Sequence, residues 1–267
     1  MPKDNLQSFK EAEKHFGSLE DKKYIVVFDL ELTCWEGEEK KPMAEMEVTE
    51  IGAVVLDAKT LEEAWRFTVT VRPTVNPILS EFCTRLTGIT QDEVDSSDTL
   101  FEVLAELLSE GKLPEPKDFI WACWGGDARW LRDEINEKTP EGCTPLSFDP
   151  RFINIKLLDG RRRGLKRACK ALGVKQELPA HRALPDAITT AEVGRKLKMR
   201  TVDAQVSNER TYRQVLTHQR GIILEKFCSK NGKLPDKFAK KLLEKCNWDY
   251  QTAKGWLEFF RNNKNVL

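Results

Sequence analysis

After a polar lead-in, residues 1–21, the chain enters Tyr24-Ile25-Val26-Val27-Phe28, an unbroken run of β-formers. A continuous apolar run of this length predicts a strand covered on both faces. Val48–Leu56 and Trp65–Val71 predict two further strands, parted by the turn-like Asp57-Ala58-Lys59-Thr60. The rhythm then changes. Leu100, Val103, Leu104, Leu107 and Leu108 share one helical face, with Ser97 or Asp98 expected to cap the helix Thr99–Ser109. Phe119–Cys123 is a short strand, Asp127–Asn136 a helix and Phe152–Ile155 a weaker strand. Arg163–Leu172 is a helix closed by Gly173, and Pro185–Leu197 is a helix with proline in its first turn. Three strands followed by alternating helices and strands define an α/β class: a mixed sheet flanked by helices. Residues 199–217 lack an apolar stripe and read as a linker. Ile222–Cys228, Asp236–Lys245 and Asp249–Arg261 predict a small three-helix module.

The length of 267 residues with 40% hydrophobic positions suits one large domain plus such a module. The formal net charge of zero hides an asymmetry: His218–Leu267 nets +6 and the remainder −6, which suggests two parts with different partners. The seven cysteines are scattered with no C-x-x-C spacing, which argues against a disulfide framework or zinc site and for a reducing compartment. No apolar h-region and no run of 18 apolar residues is present, so the expected setting is intracellular, cytoplasmic or nuclear, with no membrane.

The chemistry is concentrated in carboxylates. Asp29 and Glu31 follow the most apolar strand and, two residues apart, project from one face. Two carboxylates packed so closely repel one another and lose hydration, and a divalent cation removes that cost. Hard oxygen ligands suit magnesium or manganese. Taken alone, D-x-E is also a common way for a strand to run into a polar loop. Asp127, after the paired glycines 125 and 126, is either a helix N-cap or a third carboxylate at the same sheet edge. Asp186 stands in the first turn of its helix, where the dipole favours an anion, and His181 lies in the loop before it.

In order, these segments read D-x-E, then D, then H-x-x-x-x-D. The chain resembles the DEDDh exonucleases of the ribonuclease H-like fold. Within them it is similar to the ERI-type branch that includes the 3′ histone-mRNA exonuclease. Phe28–Gly37 is close to that branch's first motif, Asn76–Gln91 to its second block, and His181–Ala187 to the superfamily's third motif. Leu32 stands where the branch commonly has alanine, and the surroundings of Pro185 look more like the proofreading type. The resemblance covers about residues 22–198. It implies that Asp29, Glu31, Asp127 and Asp186 hold two magnesium or manganese ions, with His181 as general base and Glu31 also counted as catalytic. It further implies that Glu31, Leu32, Thr33, Leu86 and His181 contact the terminal nucleotide, while Phe82 either joins them or packs in a helix core. The expected reaction is 3′→5′ release of 5′-mononucleotides from single-stranded RNA, or DNA, 3′ ends. A proofreading DNA exonuclease and a non-catalytic nucleic-acid-binding adaptor are the alternatives.

Residues 218–267 surround Cys246-Asn247-Trp248-Asp249-Tyr250 and resemble the ubiquitin-associated-like superfamily, most nearly the C-terminal domain of the messenger-RNA export receptor TAP. That resemblance implies a protein partner. The basic charge suggests a grip on RNA instead, and a plain stabilising cap is the third expectation.

Overall fold

The computed structural model describes residues 11–37, 41, 45–139, 146–160, 163–177, 181–204, 240 and 243. By contact the chain divides into two compact units, Met1–Asn208 and Glu209–Leu267. Of the second unit only exposed Lys240 and buried Leu243 are described, so the three helices expected there lie outside the described residues.

The first unit is built on five strands: β1 (Tyr24–Leu32), β2 (Val48–Asp57), β3 (Glu63–Thr70), β4 (Phe119–Cys123) and β5 (Phe152–Asn154). Their order across the sheet is β3-β2-β1-β4-β5. The β1–β2 and β2–β3 pairs are antiparallel, whereas β1–β4 and β4–β5 are parallel, giving the mixed sheet expected. The helices are α1 (Glu81–Thr87), α2 (Gln91–Asp95), α3 (Leu100–Ser109), α4 (Asp127–Lys138), α5 (Ile155–Leu158), α6 (Leu165–Leu172) and α7 (Ala183–Lys196). Among the described residues no helix is long and apolar enough to cross a membrane.

Alternation along β1 assigns its side chains to two cores. Val26, Phe28 and Leu30 join α3 and α4 residues such as Leu104 and Leu131 on one face. Ile25 and Val27 join Ile155, Ala168, Ala187 and Ala191 on the other. Asp29 and Glu31 continue the second face, so the sheet's period aims both carboxylates toward the side that carries α7.

Pairing with β2 carries β1 past both acids to a bulge between Glu31 and Leu32, so Asp29 and Glu31 stand side by side at the strand's end as expected. One local expectation is corrected. Thr99 caps α3, rather than Ser97 or Asp98, because it forms a reciprocal capping box with Glu102. Gly126 occupies the N-cap of α4, which makes Asp127 its first helical residue and frees the carboxylate from capping. The C-terminal glycine of α6 is as expected: Gly173 has φ +66°, the left-handed turn that residues with a Cβ seldom adopt.

Candidate active site

Glu31, His181 and Asp186 converge so that one ligand atom from each lies within 4.8 Å of the others. Glu31 arrives from β1 and is 8% exposed; Asp186 comes from the first turn of α7; His181 is exposed in the loop before it. Asp29 and Asp127 complete the group electrostatically. Burial first, then the charges of Asp127, Glu31, Asp186 and Glu50, hold the Asp29 carboxyl well above the usual carboxylate range. Burial and then Asp186 and Glu50 push Glu31 up to about 8, and burial pushes Asp127 up to about 6. Thus the four acids expected from the sequence, carried by β1, α4 and α7, share one electrostatic neighbourhood.

The donor set fits a hard divalent cation. Oδ1 of Asp186 is buried with no hydrogen-bond partner, although its Oδ2 accepts from the His181 backbone N–H at 3.0 Å. An orphaned carboxylate oxygen among like-charged acids is costly unless a cation answers it.

His181 has φ +63°, which is uncommon for a residue with a Cβ and costs about 1 kcal/mol. The bond to Asp186 helps hold it there. The next residue anchors the loop to the sheet. Arg182 Nε donates to Glu50 Oε1 at 3.0 Å and its Nη2 to the same oxygen at 2.5 Å, while Ala183 N–H donates to Glu50 Oε2 at 2.7 Å. Glu50 is 2% exposed and sits directly opposite Glu31 across the β1–β2 ladder. Two residues on, a Cβ on Gly52 would lie 2.1 Å from Leu184 N, so only glycine lets α7 rest on the strand. Sequence reasoning missed Glu50, Gly52 and Arg182. The available signal was a charged residue inside a buried strand.

The block Asn76–Gln91 closes over the end of β1. Ser80 Oγ donates to Cys34 O at 2.6 Å, and Cys83 Sγ contacts Leu32 O at 3.6 Å. Cys83 and Thr87 face inward, whereas Phe82 is half-buried against the Arg85 guanidinium and Leu86 is exposed. Leu32 is half-buried. Thr33 is buried; its N–H donates to Glu47 O at 2.8 Å and its hydroxyl accepts from Glu47 N–H at 2.9 Å.

With this fold and donor set, the family comparison is specific: the model described as Exonuclease (RNase_T) matches residues 26–193, well over half the chain, which therefore belongs to that family. The chain is 45% identical over 92 residues to human "3′-5′ exoribonuclease 1", a match covering 34% of this chain and 26% of the relative. The matched region thus spans about a quarter of that relative's length. Among solved structures it is similar to one described as "3′-end specific recognition of histone mRNA stem-loop by 3′-exonuclease", with TM-score 0.55, 27% identity and coverage of 72% and 70% of the two chains. It is also similar to "the nuclease domain of 3′hExo, a DEDDh family member, bound to rAMP", with TM-score 0.54, 28% identity and coverage of 67% and 92%. These relatives support the DEDDh, ERI-type resemblance of residues 22–198. The matched residues 26–193 do not reach the C-terminal segment, and its ubiquitin-associated-like resemblance has no support from the comparisons.

Proposed function

We propose that this chain is a divalent-metal-dependent 3′→5′ exonuclease that trims single-stranded RNA ends and releases 5′-mononucleotides. The observation that carries the reading is the convergence of Glu31, Asp186 and His181, with Asp29 and Asp127 in the same electrostatic neighbourhood. The names of the relatives, an exoribonuclease and a nuclease domain bound to rAMP, favour RNA over DNA.

Asp29, Glu31, Asp127 and Asp186 would hold the cations. Two magnesium or manganese ions bound there would supply an acidified water and charge neutralisation at the departing 3′ oxygen. His181 takes the proton from the attacking water; its exposure gives the imidazole room to approach and withdraw. Asp186 positions that imidazole through the His181 N–H. Leu86, and Leu32 at the end of β1, offer apolar surface to the last base.

The test is incubation with matched linear RNA, linear DNA and circular RNA, with and without magnesium. Magnesium-dependent mononucleotide release from linear RNA, with the circle resistant, is expected. Cleavage of the circle would replace the reading with an endonuclease, and a preference for DNA would move it to the proofreading class. For residues 218–267 we propose a protein-binding module, motivated by the Asn247-Trp248-Asp249-Tyr250 segment. Truncation near residue 205 should then leave turnover unchanged.

A further inference from the structure

Between Lys156 and Lys175 the sequence places eight Lys and Arg residues against a single acid, Asp159, inside a body, residues 1–217, that nets −6. The structure sorts this charge. On α6, Ala168 and Cys169 are buried and Leu165 and Leu172 half-buried, packed into the core shared with Ala187 and Ala191 of α7. That spacing leaves Lys166, Arg167 and Lys170 on the opposite, exposed side, with exposed Lys175 just beyond Gly173. Arg163 is paired with Asp159, but among the described residues none of these four cations lies in an ion pair.

The location gives the charge a purpose. The inner face of α6 packs against Ala187 and Ala191 of α7, the helix whose first turn carries Asp186, so α6 neighbours the element that supplies that carboxylate. A polyanion approaching that edge meets Asp29, Glu31, Glu50, Asp127 and Asp186. Cations held by those acids would answer the scissile phosphate but not the phosphates further along the strand. Unpaired Lys and Arg side chains beside the site attract such phosphates, and each contact releases condensed counterions.

We propose that the outer face of α6, formed by Lys166, Arg167 and Lys170, binds the sugar-phosphate backbone of the RNA strand upstream of its 3′ end. The assignment rests on the exonuclease reading for the identity of the strand. The helix is about 12 Å long, and its three cations match about three phosphates. Backbone contacts of this kind hold the strand without reading its sequence.

The experiment uses the full chain and the triple variant K166E/R167E/K170E, whose exposed positions leave the core untouched. Affinity for a labelled twelve-nucleotide RNA is measured by anisotropy in EDTA across a salt series, and hydrolysis of a dinucleotide is measured in magnesium. We expect binding weakened by about tenfold or more at low salt, and a log–log salt slope shallower by about 2. Dinucleotide turnover should stay within about threefold of wild type, because that substrate does not reach α6. Unchanged affinity and slope in the variant would overturn the proposal and leave the face to an acidic protein. A wild-type chain that in magnesium hydrolyses neither the dinucleotide nor the twelve-nucleotide RNA would sink the exonuclease reading alone, since the binding series still decides the surface.

Discussion

Glu50 and Arg182 join the sheet to the loop that carries His181 through a two-pronged ion pair whose acid is 2% exposed. The same carboxylate also accepts the first backbone N–H of α7. Glu50→Ala would leave the partly buried Arg182 guanidinium with the looser 3.8 Å contact to Glu93 and the Ala183 amide without its acceptor. The expected loss is about 3 kcal/mol of stability, with a fall in kcat because His181 loses its anchor. Glu50→Gln should recover part of both by restoring an acceptor. Urea denaturation with parallel kinetics checks this, and a loss under about 1 kcal/mol would show the pair to be idle.

Asp29 lies among acids that resist its ionisation. Asp29→Asn should raise the melting temperature of the metal-free protein while abolishing the further rise produced by magnesium. Scanning calorimetry in EDTA and in magnesium separates the two effects. An undiminished magnesium shift would remove Asp29 from the ligand set.

His181→Ala is expected to slow turnover by about 10²–10⁴-fold while leaving magnesium affinity intact, because the base acts on water. Calorimetric titration beside single-turnover kinetics tests it. If metal affinity falls with the rate, the imidazole is a ligand.

Glu134 accepts from the Val48 N–H at 3.1 Å, and burial pushes its carboxyl up to about 7. The folded protein therefore holds this proton more firmly than the unfolded chain does. Stability drawn from it is present below the unfolded value and drains away as pH rises toward 7. Glu134→Gln should gain about 3 kcal/mol on the wild type between pH 4.5 and 7.5. A difference that stays flat across that range would show an ordinary carboxylate.

Gly52→Ala would drive a methyl group into the backbone of Ala183 and Leu184, at 2.2 and 2.1 Å. Because backbone cannot yield as a side chain does, a loss of about 3 kcal/mol or more is expected, with the catalytic loop displaced. A variant that melts like the wild type would show that α7 can lift without consequence.

The sheet was readable because each strand carries its own apolar run, and Asp29 and Glu31 because strand alternation alone puts them on one side. Asp127 was ambiguous from sequence: a first-turn Asp and an N-cap Asp differ by one residue of helix start, and Gly126 decides it. Glu50 and Gly52 were invisible for another reason. Their work depends on the antiparallel register that sets Glu50 against Glu31, which no local pattern specifies. The cations of α6 were plain as letters, but they vanish in a net charge taken over the whole acidic body. α1 and α2, seven and five residues long, are too short for periodicity to announce.

The bare patch of strand at Gly52 also works as a proofreader of the protein's own folding. Slipping β2 by one residue would turn the Ile51 side chain toward Leu184 and swing the Glu50 charge into the opposite core, so the wrong alignment is refused on two counts. A chain that has docked α7 has therefore already aligned its carboxylates. Refolding should return nuclease competence in step with native structure, with no later maturation to wait for.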